Sequence, residues 1–349
     1  MSAWLPVLLP AAVKIVAILA VVLTGVAYTT LAERKVSAWM QDRKGPNRVG
    51  PFGLLQPVAD GVKFFLKEDI TPRQAFKPTY LLAPLLTLVP ALAGFAVIPF
   101  GTSVEVAGRA HPLQIAPGMD LGILYLLSLS SVGVYGIILG GWSSGNKYSM
   151  FGALRGASQV ISYELGIGLS LLTVVLWSGS FGLADVVAAQ RDRLWFVVPH
   201  FLGFVVFLVS TFAETNRLPF DLPEGESEIV GGYHTEYSGL RFAMFFMGEY
   251  ANMITASALL VCLFFGGWNL PFVEWSFFGP VWGGLLSAAA FFGKVAFFLF
   301  VFIWVRWTLP RFRYDQLMDL GWKRLFPLAL LNLFVMTTLM VFAGVGTKP

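Results

Sequence analysis

The chain has 349 residues, of which 56% are hydrophobic and only 13% are charged, with a formal net charge of +4 at pH 7. Soluble domains carry roughly 25% charged residues, so this composition excludes a water-soluble globular protein. In lipid every backbone N–H and C=O group must be paired internally, which leaves only transmembrane helices or a closed β-barrel.

Continuous apolar runs favour helices, because barrel strands would give alternating segments of roughly ten residues. The sequence predicts an all-α polytopic membrane protein with about eight transmembrane helices and one interfacial amphipathic helix, in a single membrane domain over residues 1–349. The first apolar run is long enough to span, so we do not expect a cleaved signal peptide. The predicted spans are about 7–32, 79–99, 120–142, 156–178, 195–213, 242–265, 284–305 and 325–345.

The loops between these spans differ strongly in basic charge. One set of alternate loops carries 18 of the 24 Lys and Arg residues, and the connections on the other side carry four. The bias of Lys and Arg toward the inner side predicts that the basic set is cytoplasmic (or faces a matrix) and that both termini lie opposite. The basic loops are 33–78, 143–155, 214–241 and 306–324.

Cysteine and histidine are scarce. Cys262 is the only cysteine, which excludes a disulfide within the chain and an Fe–S cluster held by this chain alone. The three histidines, His111, His200 and His234, are far apart in sequence and show no metal-ligand spacing. We therefore expect no metal site and no catalytic set in this chain. Nor do we expect a nucleic-acid partner, since no basic cluster is interleaved with aromatic residues in a soluble domain.

The first basic loop leads into a predicted amphipathic helix over residues 52–68. The simpler interpretation is a membrane-surface anchor, and the alternative is a gate for a lipid-soluble substrate that enters from the bilayer. Trp39, close to Arg34 in sequence, offers an aromatic surface beside a cation but also suits an ordinary interfacial position. Helical periodicity separates apolar Leu54, Val58, Val62 and Phe65 from polar Gln56, Asp60, Lys63 and Lys67.

The loop at 214–241 is unusually acidic for a loop on the basic side. Six carboxylates face only Arg217 and Arg241. Crowded carboxylates near a low dielectric raise one another's pKa, although a fully solvated loop also explains the composition. The six are Glu214, Asp221, Glu224, Glu226, Glu228 and Glu236.

Ionisable residues also lie within the predicted spans. Glu164 and Glu249 are about eight and seven residues into the fourth and sixth spans, and Glu214 closes the fifth on the same side. Intramembrane carboxylates are costly, so three at one depth predict a proton relay, with buried packing residues as the alternative. Lys294, inside the seventh span, could pair with one of these acids or carry protons itself, whereas Lys14 is expected to snorkel.

Arg306 and Arg311 begin the last basic loop, where the seventh span ends. Topology alone explains basic residues at this place. Their position also predicts pairing with carboxylates from the other loops.

Three long segments resemble the signatures of the H-type subunit, also called subunit 1, of proton-pumping NADH:quinone oxidoreductase (respiratory complex I). The resemblance extends over essentially the whole chain. The segments are ERKVSAWMQDRKGPNRVGPFGLLQPVADGVKFFLKED, AETNRLPFDLPEGESEIVGGYHTEYSG and LPRFRYDQLM.

The resemblance implies a subunit without redox centres that is not catalytic alone. Such a subunit forms part of the quinone chamber and couples quinone reduction to proton translocation. Quinone is then the substrate, and NADH, FMN and the Fe–S clusters belong to partner subunits. The implied partners are the other membrane-arm subunits and the peripheral redox-arm subunits, in a lipid bilayer that is a bacterial inner membrane or, alternatively, a mitochondrial inner membrane.

The resemblance also carries over by residue. It assigns Arg34, Trp39, Asp60, Lys63, Arg306 and Arg311 to the quinone chamber. It assigns Glu164, Glu214, Glu224, Glu226, Glu228 and Glu249 to the proton path, to which the intramembrane position of Lys294 adds a seventh candidate. The third span has no carboxylate, so any relay group expected there must come from elsewhere, or from water and Tyr135.

Two other functions stay open at this stage. Intramembrane acids with Lys294 suit a stand-alone cation/proton antiporter, although the sequence shows neither an inverted repeat nor a matched pair of broken helices. A membrane anchor of a related hydrogenase-type complex without quinone is the second alternative, and the full first-loop signature favours the quinone enzyme over it.

Overall fold

The computed structural model describes residues 5–106, 109–191 and 194–343, which fold almost entirely as helices. This confirms the predicted all-α polytopic membrane fold. Two short strands, β1 (Val104–Val106) and β2 (Arg109–His111), pair antiparallel with Val104 opposite His111. The helices are α1 (Leu5–Met40), α2 (Gln56–Leu66), α3 (Lys77–Ala93), α4 (Gly122–Ser143), α5 (Lys147–Ser178), α6 (Leu183–Ala189), α7 (Phe201–Glu214), α8 (Glu226–Ile229), α9 (Gly239–Phe264), α10 (Trp282–Thr308), α11 (Tyr314–Asp319) and α12 (Phe326–Ala343).

Within the described ranges, seven helices are long and apolar enough to cross a membrane. They contain α1, α3, α4, α5, α9, α10 and α12. The remaining apolar helix, α7, has 14 residues and spans about 21 Å, less than the roughly 30 Å of a bilayer core. Residues 195–200, predicted as its first turns, are not helical: the backbone N–H of Val197 donates to the carbonyl of Phe264, and Pro199 has no N–H to donate.

Two helices near the first basic loop have bounds that differ from the sequence prediction. Helix α1 continues to Met40 rather than ending near residue 32, because Glu33, Arg34 and Lys35 prolong the helix although they end the apolar run. Helix α2 begins at Gln56 rather than near residue 52, after a short 3₁₀ turn that starts with Pro51.

Helices α5 and α9 form the centre of the bundle. Helix α5 packs on α4, α7 and α12, while α9 packs on α1, α3 and α10. More than half of the most apolar stretch of α5 and of α9 is buried within the protein, against about a fifth for α1 and α12. Gly136 of α4 lets α3 approach closely, because a Cβ there would lie 2.2 Å from Thr87 Oγ1. The outer helices thus present apolar side chains to lipid.

The acidic loop folds back into the bundle. Phe220 and Leu222 are buried, and the side-chain amide of Gln159 on α5 donates to the carbonyls of Ala213 and Phe220, each at 2.7 Å. Gly232 has φ +66°, and a Cβ there would lie 1.7 Å from the carbonyl oxygen of Pro223, so only glycine fits. A fully solvated loop is therefore wrong for the first half of this segment.

The last basic loop packs against the acidic loop. The backbone N–H of Phe312 donates to the carbonyl of Pro219, and the Tyr163 hydroxyl on α5 donates to the carbonyl of Leu317. A π-helical turn at Leu320–Leu325 then joins α11 to α12. These contacts bring Arg311 beside the acidic loop.

Candidate functional site

Arg217 lies in the interior between two carboxylates. Its side chain is only 3% exposed, with Nε 2.8 Å from Glu249 Oε1 and NH1 3.5 Å from Glu33 Oε2. The guanidinium also lies 4.1 Å from the centroid of the Tyr250 ring. A buried cation of this kind is stable only with close counter-charges, and here two acids from different helices supply them.

Glu33 completes this group, and sequence analysis missed it. The Tyr250 hydroxyl donates to Glu33 Oε2 at 2.8 Å, and Arg306 NH1 donates to Oε1 at 2.5 Å. Glu33 therefore links α1 to α9, α10 and the acidic loop. Together these side chains form the Arg217 cluster: Arg217, Glu33, Glu249, Tyr250 and Arg306.

A second group, the Asp221 cluster, lies where the acidic and last basic loops meet. Arg311 donates to Asp221 Oδ2 at 2.8 Å and to Ser227 Oγ at 3.0 Å. Glu224 and His234 are the other members, with Nδ1 of the imidazole 3.9 Å from a Glu224 oxygen. Arg306 and Arg311 thus both contact carboxylates of other segments, as their positions predict.

Burial dominates the protonation of this cluster. It raises the pKa of Asp221 to about 7, with Glu224 adding to the rise and Arg311 opposing it. Burial also raises the pKa of Glu224, although Arg217 opposes the rise. The pKa of His234 falls to about 4 because burial disfavours the imidazolium, so its contact with Glu224 at neutral pH is not an ion pair. The carboxyl group of Asp221 is therefore poised to gain or lose a proton near neutral pH.

A third group, the serine cluster, lies among the helices. The Ser130 hydroxyl of α4 donates to Glu214, and the Ser131 hydroxyl donates to Glu164. Because Ser130 and Ser131 are adjacent, the two carboxylates lie at about the same level. Tyr135, the sequence-based candidate on this helix, is instead 59% exposed, and its hydroxyl makes no hydrogen bond to any residue that the structure describes.

A small cavity whose mainly apolar lining includes several polar side chains adjoins the serine cluster. Glu214, Ser130, Thr211, Asn252 and Thr255 contribute to its lining. Its volume is about 60 Å³, measured as the space open to the centre of a water-sized sphere. A site of this size and polarity accommodates roughly four water molecules, which can carry protons between hydrogen-bonding groups.

The predicted common depth of Glu164 and Glu249 needs correction. The prediction placed the helix starts near residues 156 and 242, but α5 begins at Lys147 and α9 at Gly239. At 1.5 Å per residue, Glu164 is about 26 Å and Glu249 about 15 Å from these starts. The two acids belong to different clusters. Glu214, not Glu249, lies at about the same depth in the bundle as Glu164.

Lys294 lies far from all three clusters. Its ammonium donates to the carbonyls of Phe265, Gly267 and Asn269 at 2.7, 2.9 and 2.6 Å, and lies 4.5 Å from the centroid of the Trp195 ring. It therefore stabilises the C-terminal end of α9. The expected pairing with an intramembrane acid is wrong, because the contacts of the ammonium are carbonyls at the opposite end of the bundle from Glu249.

The first-loop candidates are only partly brought together. Arg34 NH1 lies 2.7 Å from Asp60 Oδ2, which ties α1 to α2. Trp39 is 67% exposed on the last turn of α1, and Lys63 is exposed with its ammonium 4.8 Å from the Phe64 ring. An open pocket beside the Arg34–Asp60 pair is lined by Arg34, Ser37, Arg43, Lys44, Gly45, Pro46, Asn47, Arg48, Val49, Gln56 and Trp307.

Two acidic-loop candidates lie at the surface. Glu226 is exposed, and Glu228 forms an ion pair with Arg155 at 2.5 Å while remaining 40% exposed. For these two residues the solvated interpretation of the loop fits the structure.

A signal for the missed residues was present in the sequence. Arg217 and Asp221 stand in the segment RLPFDL, whose other four residues are all apolar. Apolar neighbours of this kind in a loop indicate burial, and burial of a charge requires a partner. Glu33 gave no such signal, because its contacts depend on α1 extending beyond the apolar run.

Comparison with known proteins identifies the family of this chain. Residues 13–337 match the family described as NADH dehydrogenase. The chain is 53% identical over 323 residues to the H 1 subunit of the NADH-quinone oxidoreductase of Geobacter metallireducens, covering 92% of this chain and 94% of the relative. It is 51% identical over 325 residues to the corresponding H subunit of Leptospira biflexa, covering 90% of each, and 46% identical over 328 residues to the H 1 subunit of Cytophaga hutchinsonii, covering 94% and 96%. The chain therefore belongs to the NADH dehydrogenase family and, within it, to the H subunits of NADH-quinone oxidoreductases.

Proposed function

We propose that this chain is a membrane subunit of respiratory complex I that forms part of the quinone chamber and couples quinone reduction to proton translocation. The observation that carries the proposal is the series of buried and partly buried charges from Arg311 at the loop surface to Glu214 and Glu164 within the helices. Buried acids in large number are costly, and a series of them across several helices favours proton movement over simple packing.

The three clusters are connected through the acidic loop. Glu214, Arg217, Asp221 and Glu224 belong to one short stretch of chain and contribute to all three. A change in charge at the Asp221 cluster therefore alters both the pKa values and the position of groups next to it. Quinone reduction beside this cluster would bias the loop between two arrangements and so pass a proton displacement to Glu249, Glu214 and Glu164.

The end of α1 and helix α2 are suited to contact quinone. Arg34, Asp60, Trp39 and Lys63 lie on the last turns of α1 and on α2, next to the open basic pocket. On α2, Val58, Val62 and Phe65 are each more than half exposed, as expected for a helix that lies in the membrane interface. A lipid-soluble quinone would pass this helix on its way from the bilayer to the chamber.

Several parts of the enzyme would then lie in partner subunits. NADH, FMN and the Fe–S clusters belong to the peripheral redox arm in this proposal, and this chain contributes no redox centre and is not catalytic alone. The relatives named above come from bacteria, which supports a bacterial inner membrane as the location.

The proposal is tested by purifying the full chain with an affinity tag from gently solubilised membranes. We expect NADH-binding and Fe–S subunits to co-purify in stoichiometric amounts, together with NADH:quinone reductase activity. A chain that purifies without partners and exchanges cations for protons in liposomes would contradict the proposal and favour an antiporter. Co-purification of hydrogenase subunits without NADH-binding partners would contradict it as well.

A further inference from the structure

An apolar groove lies between α1, α9 and α10, away from the charge clusters. Its volume is about 330 Å³, measured as the space open to the centre of a water-sized sphere. Ile18, Val22, Ile254, Phe291 and Val295 are among its lining residues, and none of the lining side chains is charged. The groove opens toward lipid beside Val21 and Phe292, which are 56% and 41% exposed.

The apolar lining of the groove favours a hydrocarbon ligand. Thr29 is the only lining residue with a polar side chain, and its hydroxyl already donates to the carbonyl of Gly25 at 2.7 Å. An apolar cavity of this kind does not hold water, so within a bilayer its natural content is an acyl chain.

The length of the groove matches one leaflet. Its lining runs along α1 from Ile18 to Thr29, which is about 16 Å at 1.5 Å per residue. The hydrocarbon core of a bilayer is about 30 Å thick, so the groove corresponds to roughly half of it. A single chain from one leaflet therefore fits along its length.

A cation stands at one end of the groove. Lys14 is one helical turn before Ile18 on the same face of α1, at the end away from the basic loops. Its ammonium contacts the carbonyl of Pro112 at 3.5 Å, next to Leu113, which lines the groove. Among the residues that the structure describes, Lys14 forms no ion pair, so two of its N–H groups are free for a phosphate.

We propose that the groove and Lys14 bind an anionic phospholipid of the leaflet opposite the basic loops. One acyl chain lies in the groove and the phosphate accepts hydrogen bonds from the Lys14 ammonium. Bulk lipid is as apolar as the groove, so moving a chain into it changes the free energy little. The preference for this lipid over its neighbours therefore comes from the charge of the headgroup.

The test measures lipid retained by the full chain, purified in its native assembly. The delipidated protein is incubated with phosphatidylglycerol or phosphatidylcholine of the same acyl chains, and the bound lipid is counted by mass spectrometry. We expect several-fold more phosphatidylglycerol on the native protein. Lys14→Gln lowers its retention to that of phosphatidylcholine, whereas Ala288→Phe fills the groove and lowers retention of both.

A matched control is Arg191→Gln, which removes an exposed basic residue from the same side of the protein and should leave both lipids unchanged. A photoactivatable group on the acyl chain supplies a second readout, with labelling expected at α1 and α10 beside the groove. Equal retention of both lipids by native protein and Lys14→Gln would overturn the proposal. Labelling by a long-tailed quinone that phosphatidylglycerol does not displace would overturn it in favour of a quinone tail.

Discussion

Arg217 links two buried carboxylates that come from different helices. It contacts Glu249, approaches Glu33 and lies over Tyr250, so three partners from two helices depend on it. Its position just after α7 also places it between Glu214 and Asp221 in sequence. At the scale of single residues, the stability of the site and its proton chemistry therefore depend on the same side chain.

Replacing this cation should destabilise the protein strongly. Arg217→Gln leaves Glu33 and Glu249 buried with less compensation, and breaking a buried pair in this way costs about 3–5 kcal/mol. We expect a clearly lower unfolding midpoint for the purified full chain in detergent. The matched control is Arg155→Gln, whose partly exposed pair with Glu228 contributes only about 0–1 kcal/mol. Equal midpoints for the two variants would show that Arg217 does not hold the cluster together.

Asp221 should make the stability depend on pH. Its pKa is raised by burial from the ordinary 3.8 to about 7 in the folded protein. Between these values the folded state binds more protons than the unfolded state, so the free energy of unfolding falls as the pH rises from about 4 to 7. We predict that Asp221→Asn reduces the loss of unfolding midpoint between pH 5 and pH 8.

The comparison with a surface acid isolates this effect. Asp319 is 62% exposed and pairs with Lys323, so Asp319→Asn should leave the difference between pH 5 and pH 8 as it is in the native protein. If Asp221→Asn behaves like Asp319→Asn, the carboxyl of Asp221 does not titrate near neutral pH.

The sequence predicts which charged residues are unusual, because a charge within an apolar segment requires a partner. Glu164, Glu214 and Glu249 stand out as carboxylates within apolar sequence, and Arg306 and Arg311 stand out as basic residues where the seventh predicted span ends. Which acid meets which base depends on the packing of α1, α9 and the loops, which no local pattern contains. For that reason the contacts of Glu33 and Arg217 became clear only from the structure.

At the scale of elements, the ends of helices decide where the charges lie. The apolar runs predicted the transmembrane helices, but charged residues prolong α1 beyond its apolar run, and Pro199 delays the start of α7. A transmembrane span is predicted from the number of consecutive apolar residues, and this number includes neither effect. Because α1 continues through Glu33 and Arg34, these residues lie on a helix and can reach α9, α10 and α2.

The C-terminal end of α9 depends on Lys294. Lys294→Met removes the donor from three carbonyls, and each buried acceptor left unsatisfied costs about 1–3 kcal/mol, so we expect a lower unfolding midpoint. The number of protons translocated per quinone reduced should remain that of the native enzyme in reconstituted vesicles. If this ratio falls while the unfolding midpoint stays native, Lys294 takes part in proton translocation and the prediction is wrong.

Across the whole molecule, the two ends of the helix bundle differ in their charged groups. The side of the basic loops holds the charge clusters and the interfacial helix α2, whereas the other side holds the β-hairpin, Lys294 and the end of the apolar groove at Lys14. Composition and loop charge predicted this asymmetry, because both are properties of long segments. The inward fold of the acidic loop was not predictable from composition, since its carboxylates suit solvent equally well.

We propose that buried carboxylates of this chain couple quinone reduction to proton movement. The most direct measurement is proton pumping and quinone reduction by the assembled complex carrying Glu249→Gln, reconstituted in vesicles. We expect both rates to fall together by more than half while the subunit composition stays normal. The control Glu274→Gln, an exposed acid on the other side, should keep native rates. Native rates of pumping and quinone reduction in an assembled Glu249→Gln complex would contradict a role of Glu249 in this coupling.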